Sequence, residues 1–382
     1  MKLMIPGPVD ISEEVRQAMS VPSMPHYGPD WMRLFGETQE LLRQVFQTHH
    51  DLYIMAGPGT MALEAALGSA LEPGAKVALP YNGFFAERLE SILLGLELIP
   101  VKIPAPPGQP VTGEALAAVL AKHPDIEALA VVHHETATAV LNPLEELTAV
   151  AREHGLFIVV DAVSSLGGVP LPVDAWGIDV CVSVANKALE TPPALALLSI
   201  SPRTWELVEA RQAKRGWYLD LKTWRWYAVH WGDWHPTPVT MPTSNLYALH
   251  QSLLLLFDEG LEQRYAAYQA AMFAVRRGLE ALGFEMFVPD ERYASPLTTA
   301  FCPGEGRDAD AMQAWLKAQG GVMISGGIGA LHGKILRVGH IGLARQRDYV
   351  ISFLLAVEAY LREQGESVPV GQSLVAIDRL SI

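Results

Sequence analysis

Between residues 52 and 200 the chain alternates short, largely apolar runs with longer stretches in which apolar residues return every three or four positions. LYIMA (52–56), KVALP (76–80), LELIPV (96–101), LAVVHH (129–134), LFIVVD (156–161) and IDVCVSV (178–184) read as strands. GTMALEAALGSAL (59–71), FFAERLESILLG (84–95) and PLEELTAVAREHG (143–155) read as helices between them, the last stopped by Gly155. A strand apolar at consecutive positions is buried on both faces, and the intervening helices supply the cover. The expected architecture is α/β: a mostly parallel central sheet with helices on both sides.

From about residue 260 the pattern changes. A long helical stretch (262–283) is followed by strand-like LTTAFC (297–302) and KILRVGH (334–340), and a second long helix spans 348–364. This predicts a smaller α+β domain at the C-terminal end. Pro106, Pro107, Gly108 and Pro110 mark a loop in the first region, and the residues after 365 carry no pattern that assigns them.

Composition narrows the function. With half its residues hydrophobic and 18% charged, the chain can fill a large core. A net charge of −14 argues against a nucleic-acid partner, which needs basic surface. A small anion is still accessible through a local Arg. Two cysteines, Cys181 and Cys302, supply neither a disulfide framework nor a thiolate metal site. No apolar stretch reaches the length of a membrane span, so no membrane role and a cytoplasmic location are expected.

In an open parallel sheet, ligands collect beyond the C-terminal strand ends, and three candidate groups fall there. Gly57-Pro58-Gly59-Thr60 links a strand to a helix, and free N–H groups at that helix start suit a phosphate, although Gly/Pro turns are common. Asp161 ends an apolar strand, as a cap or a ligand. Lys187 follows a buried strand and precedes Pro192-Pro193; its own spacing does not make it catalytic. His133, His134 and Glu135 are adjacent on a strand and point alternately, so no metal site is expected. No G-x-S-x-G elbow occurs, and no G-x-G-x-x-G follows the early strands, which disfavours a nicotinamide-dependent oxidoreductase.

Seven segments in order resemble the class V aminotransferases, the group containing alanine–glyoxylate and serine–pyruvate aminotransferases, over residues 4 to 360. They are MIPGPVDISEEV, AGPGTMALEAAL, NGFFAER (82–88), VVHHETATAVLNP (131–143), VDAVSSLGGVP (160–170), Asn186-Lys187 and LRVGHIG (336–342). The resemblance implies a pyridoxal 5′-phosphate enzyme of fold type I, with an N-terminal segment (1–20) joining the small domain and the active site. It further implies a large cofactor domain (21–258), a small domain (259–365) and a tail (366–382). A homodimer with active sites at the subunit interface is also implied.

The same resemblance assigns roles by position. Lys187 binds the cofactor covalently and shuttles a proton, while Asp161 pairs with the pyridine nitrogen. Phe85 stacks on the ring, Thr136 bonds near its hydroxyl, and Asn186 flanks Lys187. Gly59 and Thr60 hold the phosphate, joined by Thr240 from the neighbouring subunit. Gly7 lines the substrate cavity, and Arg337 clamps the substrate carboxylate. The implied reaction moves an amino group from a small amino acid, alanine or serine, to glyoxylate or pyruvate by a ping-pong mechanism. Pyridoxamine, phosphonate amines or larger amino acids are alternative donors, and a non-catalytic cofactor binder is a further alternative. A cysteine desulfurase is disfavoured, because Cys181 falls inside a buried strand and Cys302 closes another.

The chain also departs from the family pattern. Pro58 stands where many relatives have Ser, and Thr237 where some have Tyr. Ala139, Glu190 and Ala194 replace glycines. Glu190, three residues after Lys187, is expected to face solvent; turned into the pocket, it would favour a substrate amine. Trp217, Trp224, Trp226, Trp231 and Trp234 read as core or interface, or as an apolar entrance for a larger donor.

Overall fold

The computed structural model describes residues 1–213 and 216–377. Seven strands form the main sheet: β1 (Asp51–Ala56), β2 (Lys76–Tyr81), β3 (Ile99–Pro104), β4 (Ile126–Val132), β5 (Phe157–Asp161), β6 (Val180–Val184) and β7 (Leu195–Ile200). Their spatial order is β1-β7-β6-β5-β4-β2-β3, and only β7 runs against the rest. Alternation sends Leu52, Ile54, Leu129, Val131, Ile158 and Val160 to one core, and Tyr53, Met55, Ala128, Val132, Phe157 and Val159 to the other. Both faces are covered by helices, as the doubly apolar runs require.

Most predicted elements sit within a few residues of expectation. The helices Gly59–Ala70 and Phe84–Gly95 start where the sequence places them. β3 begins three residues later than LELIPV, because Leu96 and Leu98 belong to the turn that closes the preceding helix. β4 ends at Val132, one residue before the His133-His134 doublet. β7 is an addition: no sequence signal separates ALALLSI from the Pro-rich turn before it.

A second sheet of four antiparallel strands, β8 (Glu285–Met286), β9 (Thr298–Cys302), β10 (Ser325–Gly326) and β11 (Leu336–Gly339), packs on the helices Leu261–Ala281 and Arg347–Glu363. Two features tie this unit to the main sheet's strand ends. Lys2–Leu3 pairs with Val322–Met323, and the Gly339 N–H donates to the Met4 carbonyl, so the N-terminal segment is stitched into it. The segment then runs to the end of β6. Beyond residue 365, the helix Gln372–Ile377 docks Leu374 and Ile377 on the same core, with the buried Glu358 accepting from the Gly371 and Ser373 N–H groups. Residues 378–382 of the tail lie outside the described residues.

Candidate active site

The ends of β1, β4, β5 and β6 open on a cavity of about 480 Å³, the size of a small-molecule site. Gly57, Pro58, Gly59, Thr60, Phe85, Asp161, Asn186 and Lys187 line it. Six of these are cofactor residues named from the sequence. They come from four chain segments, and only the parallel sheet brings them to one edge.

At one wall is the helix Gly59–Ala70. Pro58 occupies its cap position in extended backbone and offers no side-chain acceptor. Gly59 and Thr60 are its first residues, so their N–H groups have no acceptor one turn back and add the positive end of the helix dipole. A Cβ on Gly59 would lie 2.6 Å from Val163 Cγ2 and 2.9 Å from Val184 Cγ1, so the helix start is tucked between the two strand ends.

At the floor, Asp161 is nearly inaccessible and accepts a hydrogen bond from the Val163 N–H at 2.9 Å. Burial raises its carboxyl to about 6, opposed by that bond and by the charges of Arg88 and Lys187. Lys187 donates from Nζ to the Pro6 carbonyl at 2.8 Å. Burial, then the positive field of Arg337, lowers its ammonium to about 8, with Asp161 pulling the other way. Gly7 sits against it: a Cβ there would fall 2.3 Å from Nζ, and φ is +136°. Glycine is therefore required by both space and backbone.

Arg337, on β11, is buried. Its Nε donates to the Gly326 carbonyl at 2.9 Å and its Nη1 to the Thr136 carbonyl at 2.9 Å. The outer edge of the guanidinium, Nη2 and the second Nη1 hydrogen, is left for a ligand. Burial lowers Arg337 to about 10, with Glu135 supporting the charge.

Not every named residue lines the cavity. Thr136 is buried behind it and acts here through its carbonyl. Gly7 sits against Lys187 and Arg337 acts on it through its charge, and neither lines the cavity. Thr240 is exposed and is not among the residues that line this cavity.

Several neighbours were given no role from the sequence. Arg88, one turn after Phe85, lines the cavity with its guanidinium 4.8 Å from the Phe85 ring centre. His134 also lines it; Nδ1 donates to the Ser164 carbonyl at 3.1 Å, and burial lowers the ring to about 4, so it is neutral. His133 bonds Ser165 on the opposite side of the strand. Among the described residues no three His, Cys, Asp or Glu side chains are grouped to hold a metal.

The solvent-facing expectation for Glu190 is corrected. Glu190 is buried, pairs with Arg264 at 3.1 Å and accepts from the Tyr268 hydroxyl at 3.2 Å, away from the cavity. Its φ is +55° and that of Ala139 is +61°, so two of the three residues read as replacing family glycines hold left-handed backbone, and Ala194 does not. Glu190 has an ion pair to offset the strain; Ala139 has none. Among the tryptophans, Trp224 is core, while Trp226, Trp231 and Trp234 pack against one another in tilted contacts and do not line the cavity.

An acid at the floor, a depressed lysine beside it and a helix start along the wall define a pyridoxal-phosphate transferase of mostly parallel α/β fold. The profile of the family Aminotransferase class-V matches residues 11–345, and the chain belongs to this family. It is 35% identical to an uncharacterized aminotransferase of Methanocaldococcus jannaschii, over 96% of this chain and 94% of that one. It is similar in structure to pyridoxamine–pyruvate aminotransferase from Mesorhizobium loti (TM-score 0.92, 28% identity, 99% of this chain and 97% of that one). It is also similar to alanine–glyoxylate aminotransferase from Nostoc sp. (TM-score 0.88, 33% identity, 94% and 95%). The chain is thus an aminotransferase, and its cofactor is pyridoxal 5′-phosphate. The residues present fit that group: an anion cradle, an acid for a ring nitrogen, an amine, and a glycine where a side chain would collide with the amine.

Proposed function

We propose that this enzyme transfers the amino group of a small amino acid, alanine or serine, to glyoxylate or pyruvate, alternating two half-reactions on one cofactor. The observation that carries the reading is the convergence of Lys187, Asp161 and the Gly59–Thr60 helix start on one cavity, with Lys187 in the positive field of Arg337. When bound, pyridoxal phosphate supplies an electron sink for the carbanion formed at Cα.

The protein's own side chains do the rest. Lys187 holds the cofactor and, once released, moves the proton to and from Cα; its lowered pKa keeps a share of neutral amine near pH 7. Asp161 keeps the ring nitrogen protonated, because a buried carboxylate is stabilised by a cation at contact distance. Gly59 and Thr60 receive the phosphate, Phe85 faces the ring, Asn186 sets Lys187 at the strand end, and Thr136 orients Arg337. Arg337 fixes the substrate carboxylate and so orients Cα.

Homodimer formation is supported by Trp217, Trp226, Trp234 and Tyr27, all about half exposed, a denser apolar patch than scattered surface residues explain. Thr240, exposed close by in sequence, would then serve the partner's phosphate. No helix of the described residues is long and apolar enough to cross a membrane.

The test is spectroscopic. The purified protein should be yellow, and a panel of alanine, serine, pyridoxamine and 2-aminoethylphosphonate should show which donors bleach the visible band. Bleaching by pyridoxamine or the phosphonate but not by alanine or serine refutes the small-amino-acid reading. A band retained by Lys187→Ala refutes the assignment of Lys187.

A further inference from the structure

We propose that Glu135 is a positioning residue for transamination, setting both the ring-facing Phe85 and the carboxylate-facing Arg337. The inference rests on the reading of the cavity given above. Glu135 is fully buried in a two-residue strand, His134–Glu135, paired with Val140–Leu141. Its Oε2 accepts from the Phe85 N–H at 2.9 Å and the Ala86 N–H at 3.1 Å, and its Oε1 accepts from the Ala137 N–H at 3.0 Å.

The first two bonds perform a task that local sequence leaves undone. The helix Phe84–Gly95 begins after Gly83, which has no side chain to cap it. Glu135 supplies the cap from 50 residues along the chain; burial raises its carboxyl to about 7, and the Ala137, Ala86 and Phe85 N–H groups oppose that rise by favouring the carboxylate. Gly83 makes room for it: a Cβ there would lie 2.4 Å from both Cγ and Cδ of Glu135. The turn of helix held in this way carries Phe85 and Arg88 into the cavity.

The third bond acts on the other side. It closes the turn around Thr136, whose carbonyl grips Arg337 Nη1, and the carboxylate also supports the buried guanidinium electrostatically. One carboxylate therefore joins the helix that faces the ring to the turn that aims the substrate arginine. A cap alone would affect stability; a shared anchor affects two ligand contacts at once.

Glu135→Gln separates these roles. The amide oxygen can still accept from the helix, but an NH₂ then faces the Ala137 N–H and the charge near Arg337 is gone. KM for both the amino donor and the 2-oxo acid should rise about tenfold, as for loss of a charge-assisted hydrogen bond, while kcat changes by less than about threefold. Because the helix bonds are kept in Glu135→Gln, the visible circular dichroism of the bound cofactor should stay close to wild type. Gly83→Ala, with Glu135 intact, should displace the carboxylate from both sides, raising KM and weakening the visible dichroism together as Phe85 shifts. Variants that bind the cofactor and lose only unfolding stability, with wild-type KM and visible dichroism, overturn the proposal. A wild-type protein that binds no pyridoxal phosphate overturns the reading of the cavity instead, and the inference falls with it.

Discussion

Replacing Lys187 with Met should make the cofactor-free protein more stable, in a way that depends on pH. The ammonium is lowered from 10.5 to about 8 in the fold, chiefly by burial and the field of Arg337. That lowering, at 1.36 kcal/mol per pH unit, corresponds to about 3 kcal/mol against folding while the lysine is charged in both states. This is an upper figure, since the side chain keeps some solvent access. The sign follows from proton binding: the unfolded chain holds the proton more tightly, so stability rises with pH between the two pKa values. The penalty is full below about pH 8, roughly 2 kcal/mol at pH 9, and below about 1 kcal/mol at pH 10.

The Met variant has no such penalty and loses only the bond to Pro6, about 1 kcal/mol. It should therefore exceed the wild type by about 2 kcal/mol at pH 7, and the gap should close by pH 10. Urea unfolding of both apoproteins at one protomer concentration measures this. A gap that stays constant from pH 7 to 10, or a wild type that is the more stable at pH 7, would refute the reasoning. The functional return is the amine itself: at pH 7 a pKa of about 8 leaves roughly a tenth of it neutral, against well under a thousandth at 10.5.

Two further substitutions test particular contacts. Gly7→Ala places a methyl 2.3 Å from Lys187 Nζ and forces a side chain onto a φ of +136°. The kcat should fall about 100-fold through misplaced amine, with a loss of about 1–3 kcal/mol in urea unfolding from the backbone strain; a kcat within about threefold of wild type counts against the contact. The two left-handed positions should respond with opposite signs, Ala139→Gly gaining about 1 kcal/mol by strain relief and Glu190→Gly losing about 2 kcal/mol as the Arg264 pair and the Tyr268 bond go. Denaturant curves that move both variants the same way would contradict that account.

The runs of residues apolar on consecutive positions determined the buried, mostly parallel sheet, because only burial on both faces makes such strands favourable. Those local patterns also put Asp161 and Lys187 at strand ends, and the ordered motifs supplied their roles. Tertiary structure decided what meets at those ends. Strand order 1-7-6-5-4-2-3 sets the ends of β1, β5 and β6 together, and nothing in local spacing encodes that order. β7 stayed hidden because its reversed direction arises from pairing on both sides rather than from any breaker of its own. Glu190 was misread for a related reason: a glutamate is normally exposed, and burying one depends on Arg264, 74 residues away, and Tyr268. Glu135 is the same case at the site, a carboxylate whose partners are backbone N–H groups of a helix 50 residues earlier. Periodicity reports which face of an element is apolar; which polar group satisfies a buried charge is settled only when distant segments pack.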